Sequence, residues 1–510
     1  MNVLEYLRQN NEQISAVCGG NGTCGRCLVS IDDSEPVPAC RTEYRPGMNI
    51  RVIDSPDLIT VLGTGDLPDG GTSDRAGVHI EESETSDCAN DRDGQYGIAI
   101  DIGTTTIAGV LCSVGDSFCR VISEESRINP NISFGADVIS RIKAGSEGYG
   151  KTMRDSLLEA VREIIFRLCG ADGDGTGKNK KIDKINIAGN TTMIHILMGY
   201  DPGSLGVFPY TPVNIKTIEG KASDILGISS GDIVDTDNTH CVIFPGISAY
   251  VGGDIVSGLY YLKSIKTPDI YMLVDLGTNG EMALITHDSI RTASTSAGPV
   301  FEGGGISCGC GSVAGAIDHI KINDRKKVSY TTIADIGLIA GICGSGVIDC
   351  AAEMYLNGMC TERGTFMSDE PLLVARYPDM TPVRFTQDDM RQVQLAKAAI
   401  AAGAEVLCHS AGISYEDIGA LYLAGGMGHA VDAGSAAAIG LIPPELKERA
   451  VPIGNSSLKG AVRLLTEYEV GALERVAAIA EGSRLEDLAG APGFQDTYIR
   501  HMDLPDHSLS

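Results

Sequence analysis

Gly97-Ile98-Ala99-Ile100-Asp101-Ile102-Gly103-Thr104-Thr105-Thr106 is a run of strand-forming apolar residues that closes on an acid, a glycine and small hydroxyl side chains. A second run of the same kind follows at Tyr271-Met272-Leu273-Val274-Asp275-Leu276-Gly277-Thr278-Asn279-Gly280. Two copies of strand, Asp, Gly and polar turn predict two similar subdomains. In such a turn, backbone N–H and hydroxyl groups can cradle phosphate, and the Asp reaches Mg²⁺ directly or through water. Taken alone, Asp101 reads equally well as a turn-capping residue. The second copy, together with Leu421-Tyr-Leu-Ala-Gly425-Gly426-Met427-Gly428-His429, shifts the balance toward a nucleotide site.

Working outward, short β-rich runs alternate with helical stretches such as Lys151–Cys169 and Met390–Cys408, which predicts α/β architecture. Upstream, from about Asp54 to Asp93, the hydrophobic rhythm is lost and Gly, Pro, Ser and acids dominate, ending in Glu81-Glu82-Ser83-Glu84. This stretch reads as an acidic linker. The expected order is therefore a small domain at 1–53, a linker at 54–95, one α/β subdomain at 96–265, and a second at 266–510 with a C-terminal helical segment.

A chain of 510 residues has room for about three domains. With 43% hydrophobic and 21% charged residues it has the composition of a globular protein. The formal charge of −27 repels nucleic acid and anionic membranes. Met1–Gln13 lacks the basic and apolar regions of a secretory signal, and Lys397, Glu405, His429 and Asp432 interrupt the most apolar stretches. A cytoplasmic location with no membrane partner is expected, and there the 15 cysteines do not form a disulfide framework.

Cys18, Cys24, Cys27 and Cys40 stand as C-x5-C-x2-C-x12-C, with Gly19, Gly20, Gly22 and Gly25 among the first three. A tight glycine-rich loop with three close thiolates and a distant fourth suits a [2Fe–2S] cluster, and the glycines bring backbone N–H groups near the sulfurs. Cys₄ zinc is the alternative, but it usually pairs two C-x2-C knuckles, and only one is present. Cys308, Cys310, Cys343, Cys350 and Cys360 read as buried small hydrophobes rather than a second cluster.

The cysteine segment resembles the ferredoxin-like domain of [2Fe–2S] proteins, trimmed so that Asn2-Val-Leu-Glu-Tyr-Leu7 begins directly with a helix. The trio Asp101–Thr106, Asp275–Gly280 and Leu421–His429 resembles the actin, sugar-kinase and heat-shock-chaperone superfamily. That resemblance implies that Gly103, Thr104, Thr105 and Thr106 form the first phosphate loop and Gly277, Thr278 and Asn279 the second. Gly425, Gly426 and Gly428 would pass close to the adenosine, and ATP would lie in a cleft between the subdomains. Asp101 and Asp275 are expected to position Mg²⁺, and Asp254, in a Gly-Gly-Asp turn, to orient the attacking water.

Further motifs narrow the resemblance: Ala188-Gly-Asn190-Thr191-Thr192, Ser296-Ala-Gly298-Pro299-Val-Phe-Glu302, Gly341-Ile-Cys343-Gly344-Ser345-Gly346, and Thr386-Gln387 with Gln394-Leu-Ala-Lys397. With the cysteines, they are similar to the ATP-dependent reductive activators of corrinoid proteins, which operate anaerobically. The resemblance implies one-electron reduction of Co(II) to Co(I) in a corrinoid protein partner, an upstream electron donor, and use of ATP and Mg²⁺. A homodimer is compatible with it. The alternatives are a small-molecule kinase of the same superfamily, a non-catalytic ATP-sensing clamp, and an activator of a radical dehydratase. A kinase has no need of an iron–sulfur domain.

Overall fold

The computed structural model describes residues 1–10, 14, 27–32, 37–52, 95–115, 119–170, 182–228, 238–334, 336–378, 380–426, 430–467 and 471–506. The stretch read as a linker lies outside them except for Gln95. The described residues form two compact units, one holding those up to 265 together with 456–481, the other holding 266–455 and those from 482 on.

The first unit opens with helix α1 (Val3–Gln9). Asn2 Oδ1 accepts from the Glu5 N–H at 2.8 Å and Glu5 Oε2 accepts from the Asn2 N–H at 3.0 Å, a reciprocal cap that starts the helix at the expected place. Strands β1 (Leu28–Ile31), β2 (Val37–Pro38) and β3 (Ile50–Val52) make an antiparallel sheet in the order β2-β1-β3. Val3, Leu4 and Leu7 of the helix pack with Val29 and Ala39 into a small core.

The main sheet of this unit contains β4 (Gln95–Ile102), β5 (Thr106–Val114), β6 (Cys119–Ile128), β7 (Ile182–Gly189), β8 (Ile218–Lys221) and β9 (His240–Ile243), in the order β6-β5-β4-β7-β9-β8. Its helices are α2 (Val138–Ala144), α3 (Gly150–Gly170), α4 (Thr191–Met198), α5 (Ala222–Leu226) and α6 (Gly253–Ser264). Ile98, Ile100 and Ile102 bury one sheet face against Leu157, Val161 and Ile164 of α3.

In the second unit β10 (Tyr271–Leu276), β11 (Gly280–Ile285) and β12 (Ile290–Thr295) form an antiparallel meander. An insertion follows: β13 (Ala316–Ile322), β14 (Val328–Thr332), β15 (Gly341–Ile342), α7 (Gly344–Leu356), and the hairpin β16 (Leu372–Arg376) with β17 (Pro382–Phe385). Helix α8 (Gln387–Ala411) leads to β18 (Ala420–Ala424), α9 (Ala433–Ala438) and β19 (Ala450–Gly454), and β18 and β19 extend the meander in parallel. Both units thus contain a sheet of strand order 3-2-1-4-5, counting β4, β5, β6, β7, β9 in the first and β10, β11, β12, β18, β19 in the second. The repeat read from the two Asp runs is a repeat of topology. Asp101 pairs in register with Ala188 of the fourth strand and Asp275 with Ala424 of its counterpart, so the two acids occupy equivalent positions.

Beyond β19 the chain departs from the expectation that all of 266–510 belongs to the second subdomain. Helices α10 (Ser456–Leu465) and α11 (Ala472–Gly482) return to the first unit, whereas β20 (Ser483–Leu485) pairs with β12 and α12 (Phe494–Arg500) packs on α8. Helix α10 lies against α6 with its Gly460 facing Ser257, where a Cβ would stand 1.9 Å from the Ser257 carbonyl oxygen. Only glycine permits so close a crossing. Ser257 Oγ donates to the Ser457 carbonyl at 2.6 Å, and Ser457 Oγ in turn donates to Asp101 Oδ1 at 2.7 Å. Gly460→Ala is expected to destabilise the first unit by roughly 1–3 kcal/mol, the scale of overpacking a close contact, and to displace Ser457 from Asp101. Denaturant unfolding of the full chain checks it; a midpoint equal to that of the unsubstituted protein would show that the helices part without cost.

The motif residues on α8 hold the segment at 502–503. Thr386 caps the helix in a reciprocal pair with Asp389. Gln394 Nε2 donates to the Met502 carbonyl at 2.8 Å, and the Lys397 ammonium, 1% exposed, donates to the Asp503 carbonyl at 2.5 Å. Burial pushes the Lys397 pKa down to about 7, partly offset by Asp503. The folded chain then binds fewer protons than the unfolded one between about pH 7 and the ordinary lysine value of 10.5. Stability is expected to rise with pH across that window, with a slope of up to ~1.4 kcal/mol per pH unit. Lys397→Met should flatten that rise in pH-dependent unfolding measurements. An unchanged slope would assign it to other groups. Among the described residues no helix is long and apolar enough to cross a membrane.

Candidate functional site

The first loop is the turn between β4 and β5. Gly103 donates its N–H to the Thr106 carbonyl at 2.9 Å, and a Cβ at Gly103 would sit 2.9 Å from that oxygen, so a side chain is not accommodated. Asn129, fully buried, fixes the other side: its Nδ2 donates to the Gly103 carbonyl and its backbone N–H to the Thr105 carbonyl, both at 2.8 Å. Thr104 Oγ1 accepts from Asn190 Nδ2 at 2.9 Å, which leaves its O–H free to donate outward. Asn190 is itself held, because its Oδ1 accepts from the Met193 N–H at 3.0 Å and caps α4. Sequence reasoning quoted Asn190 within a motif without giving it a role and overlooked Asn129; the signals were an Asn directly after a strand and the Asn129-Pro130 turn pair.

Two acids of this unit act on each other. Asp101 accepts from Ser457 at its Oδ1, while Asp254 lies in the first turn of α6 with its Oδ1 accepting from the Ile255 N–H at 2.8 Å. Burial, and then the field of Asp101, push the Asp254 pKa up to about 7. Two carboxylates that repel each other form a hard oxygen donor set. A divalent cation or its bound water relieves that repulsion, so these residues fit Mg²⁺.

The second loop lies between β10 and β11, where the Gly277 N–H donates to the Asn279 carbonyl at 3.2 Å. Thr278 differs from Thr104 in its hydrogen bonding. It is 4% exposed and its O–H donates to Glu302 Oε2 at 2.5 Å, so it presents lone pairs rather than a proton. That arrangement suits a cation's water better than a phosphate oxygen. Glu302 closes the 3-10 turn Pro299–Glu302, and sequence reasoning quoted it without a role. Gly425, at φ +104°, abuts this loop: a Cβ there would be 2.7 Å from the Leu276 carbonyl and 2.9 Å from Asp275 Oδ1. Its counterpart in the first unit is Gly189, where a Cβ would be 2.7 Å from the Ile102 carbonyl. The Ala-Gly-Asn run at 188–190 and the Ala-Gly-Gly run at 424–426 therefore occupy equivalent positions, a relation the sequence reading did not draw. Among the described residues nothing stands within 4 Å of a Cβ built at Gly426, and Gly428 lies outside them.

Of the four N-terminal cysteines, Cys18 and Cys24 lie outside the described residues. Cys27 is fully buried at the entrance to β1, Cys40 is half-buried, and the Cys40 N–H donates to Cys27 Sγ at 3.5 Å. An N–H aimed at sulfur stabilises a thiolate, so the described half of the set fits a cluster ligand pair. The later cysteines divide: Cys343, Cys350 and Cys360 are buried with their thiol pKa values raised by burial, whereas Cys308 and Cys310 are half-buried.

Comparison with known proteins gives consistent matches. Residues 96–266 match the family model for the RACo middle region, and residues 269–510 match that for the C-terminal domain of RACo, the ASKHA domain. The corrinoid activation enzyme RamQ of Eubacterium limosum is 28% identical over a 585-residue alignment that covers 97% of this chain and 95% of that protein. The [Co(II) methylated amine-specific corrinoid protein] reductase of Methanosarcina barkeri is 25% identical over 397 residues, covering 73% of this chain and 70% of that one. A solved structure of a reductive activator for corrinoid, iron-sulfur protein superposes with a TM-score of 0.72 at 26% identity, covering all of this chain and 96% of that one.

Proposed function

Since the chain belongs to the RACo family, we propose that it is an ATP-dependent reductive activator of a corrinoid protein, returning Co(II) to Co(I) by one-electron transfer. The relatives' names, an activation enzyme and a reductase of corrinoid proteins, support the reaction class. The observation that carries the reading is the pair of equivalent sheet-end loops, each with its strand-terminal Asp and close-packed Gly, in a chain that also places Cys40 N–H on Cys27 Sγ.

Cys18, Cys24, Cys27 and Cys40 are assigned as ligands of one [2Fe–2S] cluster, which when bound supplies a one-electron carrier between an upstream donor and the partner's cobalt. The chain's own residues do the rest. Cys40 N–H stabilises negative charge on Cys27 Sγ. Asp101 and Asp275 position Mg²⁺ and its waters, with Thr278 offering lone pairs on the same side as Asp275's loop. Thr104, Thr105, Thr106, Gly103, Gly277 and Asn279 are assigned to the ATP phosphates, and Gly425, Gly426 and Gly428 to the adenosine. Asp254 is assigned to orient the attacking water. Hydrolysis supplies the free energy for an uphill reduction in which every ~59 mV costs about 1.4 kcal/mol.

A small-molecule kinase needs an acceptor pocket at the transferred phosphate. A cavity of about 720 Å³ does open in the first unit, among Asn186, His240, Val242, Leu464 and Glu481, but neither Asp101, Thr104 nor Asp254 lines it. The deciding experiment is anaerobic: the purified chain, a Co(II) corrinoid protein, a one-electron reductant and Mg-ATP, followed by visible spectroscopy and phosphate release. Co(I) formation that requires ATP, with hydrolysis accelerated by the partner, is the expected result. Stoichiometric phosphorylation of a metabolite with no cobalt reduction would establish the kinase instead.

A further inference from the structure

Arg8, in the last turn of α1, reaches out of the cysteine-bearing domain and is 8% exposed. Its Nε donates to the Ser133 carbonyl at 2.7 Å, Nη2 donates to the same oxygen, and the guanidinium lies 5.1 Å from the centroid of the Phe134 ring. Burial lowers its pKa, and Tyr149, Cys27, Glu147 and Glu5 oppose that shift. Such a group is retained where planar, forked geometry matters more than charge alone.

Ser133 and Phe134 end the 3-10 turn Pro130–Phe134, whose start is capped by Asn129 through its Oδ1 and the Asn131 N–H at 3.0 Å. Asn129 is also the residue that holds the Gly103 and Thr105 carbonyls of the first phosphate loop. The turn is buried, with Ser133 at 5% and Phe134 at 4% exposure, and Phe134 is itself packed against Tyr149. One short, rigid piece of chain therefore has the phosphate loop at one end and the cysteine-bearing domain at the other.

We propose that Arg8 is a positioning residue that docks the cluster-bearing domain onto the 129–134 turn, so that the occupancy of the first phosphate loop and the station of the cluster are coupled. A phosphate seated on Gly103–Thr106 loads the two carbonyls held by Asn129, and the turn transmits that change to the carbonyl gripped by Arg8. By linkage the coupling is reciprocal: docking changes nucleotide affinity by the same factor as nucleotide changes docking. The inference rests on the ATP-site reading above but not on corrinoid chemistry.

The test is hydrogen–deuterium exchange on the full, anaerobically reconstituted chain with and without Mg-AMPPNP, together with the affinity for that analogue and the iron content of each variant. In the unsubstituted protein the analogue should change protection of peptides spanning 3–10 and 129–135. Arg8→Ala should open the docked contact roughly tenfold more often, the scale of a lost charged hydrogen bond, and abolish the nucleotide response at 3–10 with iron content preserved. Phe134→Leu, which leaves α1 untouched, should weaken the response from the other side. Arg8→Lys keeps the charge but not the fork, and should restore only part of it. Nucleotide binding that leaves 3–10 unchanged in the unsubstituted protein would overturn the proposal, as would an Arg8→Ala chain that responds normally or is fully rescued by lysine. Failure of the analogue to bind at all would remove the ATP-site reading and this coupling with it. Absence of iron alongside an intact exchange response would refute only the cluster assignment.

Discussion

Asp101→Asn is expected to lower ATP hydrolysis by roughly 10²- to 10³-fold, the scale of removing one electrostatic contact from a phosphoryl-transfer site. The substitution keeps the size of the side chain and an oxygen for the Ser457 hydroxyl, so the 2.7 Å hydrogen bond has a successor and the sheet is not disturbed. What is lost is the charge. It has two effects of opposite sign: Mg²⁺ loses a ligand or a water anchor, and Asp254 loses the neighbour that helps to raise its pKa. The first dominates the rate, because a cation neutralises charge developing on the transferred phosphoryl group. The second is read separately, as an Asp254 titration displaced toward the ordinary carboxylate range. Steady-state phosphate release checks the prediction; hydrolysis at the normal rate would mean that the loop after β4 does not hold the nucleotide's metal.

Cys27→Ser is expected to abolish the visible absorption of the cluster and all Co(I) formation, while ATP hydrolysis without partner stays within about twofold. Serine retains an oxygen for the Cys40 N–H, so the turn at Ala39–Arg41 keeps its partner, but an alkoxide is a poor substitute for thiolate on iron. Iron and acid-labile sulfide are the measurements that count. Zinc at one per chain with no sulfide in the unsubstituted protein would replace the cluster with a structural metal site. A hydrolysis rate that collapses in Cys27→Ser would instead point to a first unit that needs its N-terminal domain for stability.

The architecture was legible in the sequence where chemistry and periodicity coincide. The runs ending at Asp101 and Asp275 combine a strand with an acid and a glycine, and the structure places both at the end of the first strand of a 3-2-1-4-5 sheet. The helical stretches read at 151–169 and 390–408 are α3, longer by one residue at each end, and α8, longer by three at each end. What stayed hidden depends on contacts far apart in the chain. Nothing in Ser456–Leu465 announces that it returns to the first unit, because an amphipathic helix states which face it buries and not against what. Glu302 could be quoted in a motif but not assigned, since its meaning comes from Thr278 lying 24 positions earlier in the chain. Asn129 shapes the first loop through hydrogen bonds from 26 residues away in the chain. The motif around Gln394 and Lys397, quoted only for its resemblance, fastens residues 502 and 503.

The crossing of α6 and α10 also constrains how the protein is made. Gly460 and Ser257 touch across about two hundred positions of sequence, and Leu465 closes on Gly97 from farther still. A ribosome that has released the chain only as far as residue 455 has emitted every strand of the first sheet but not the helix that covers Ser257 and supplies Ser457 to Asp101. Until then the face of α6 around Ser257 lacks the helix it packs against. The second unit's meander and insertion must therefore emerge, and can fold, while the first waits incomplete. A fragment ending near residue 266 is thus expected to need solubilising help, and supplying α10 as a separate peptide should relieve that need.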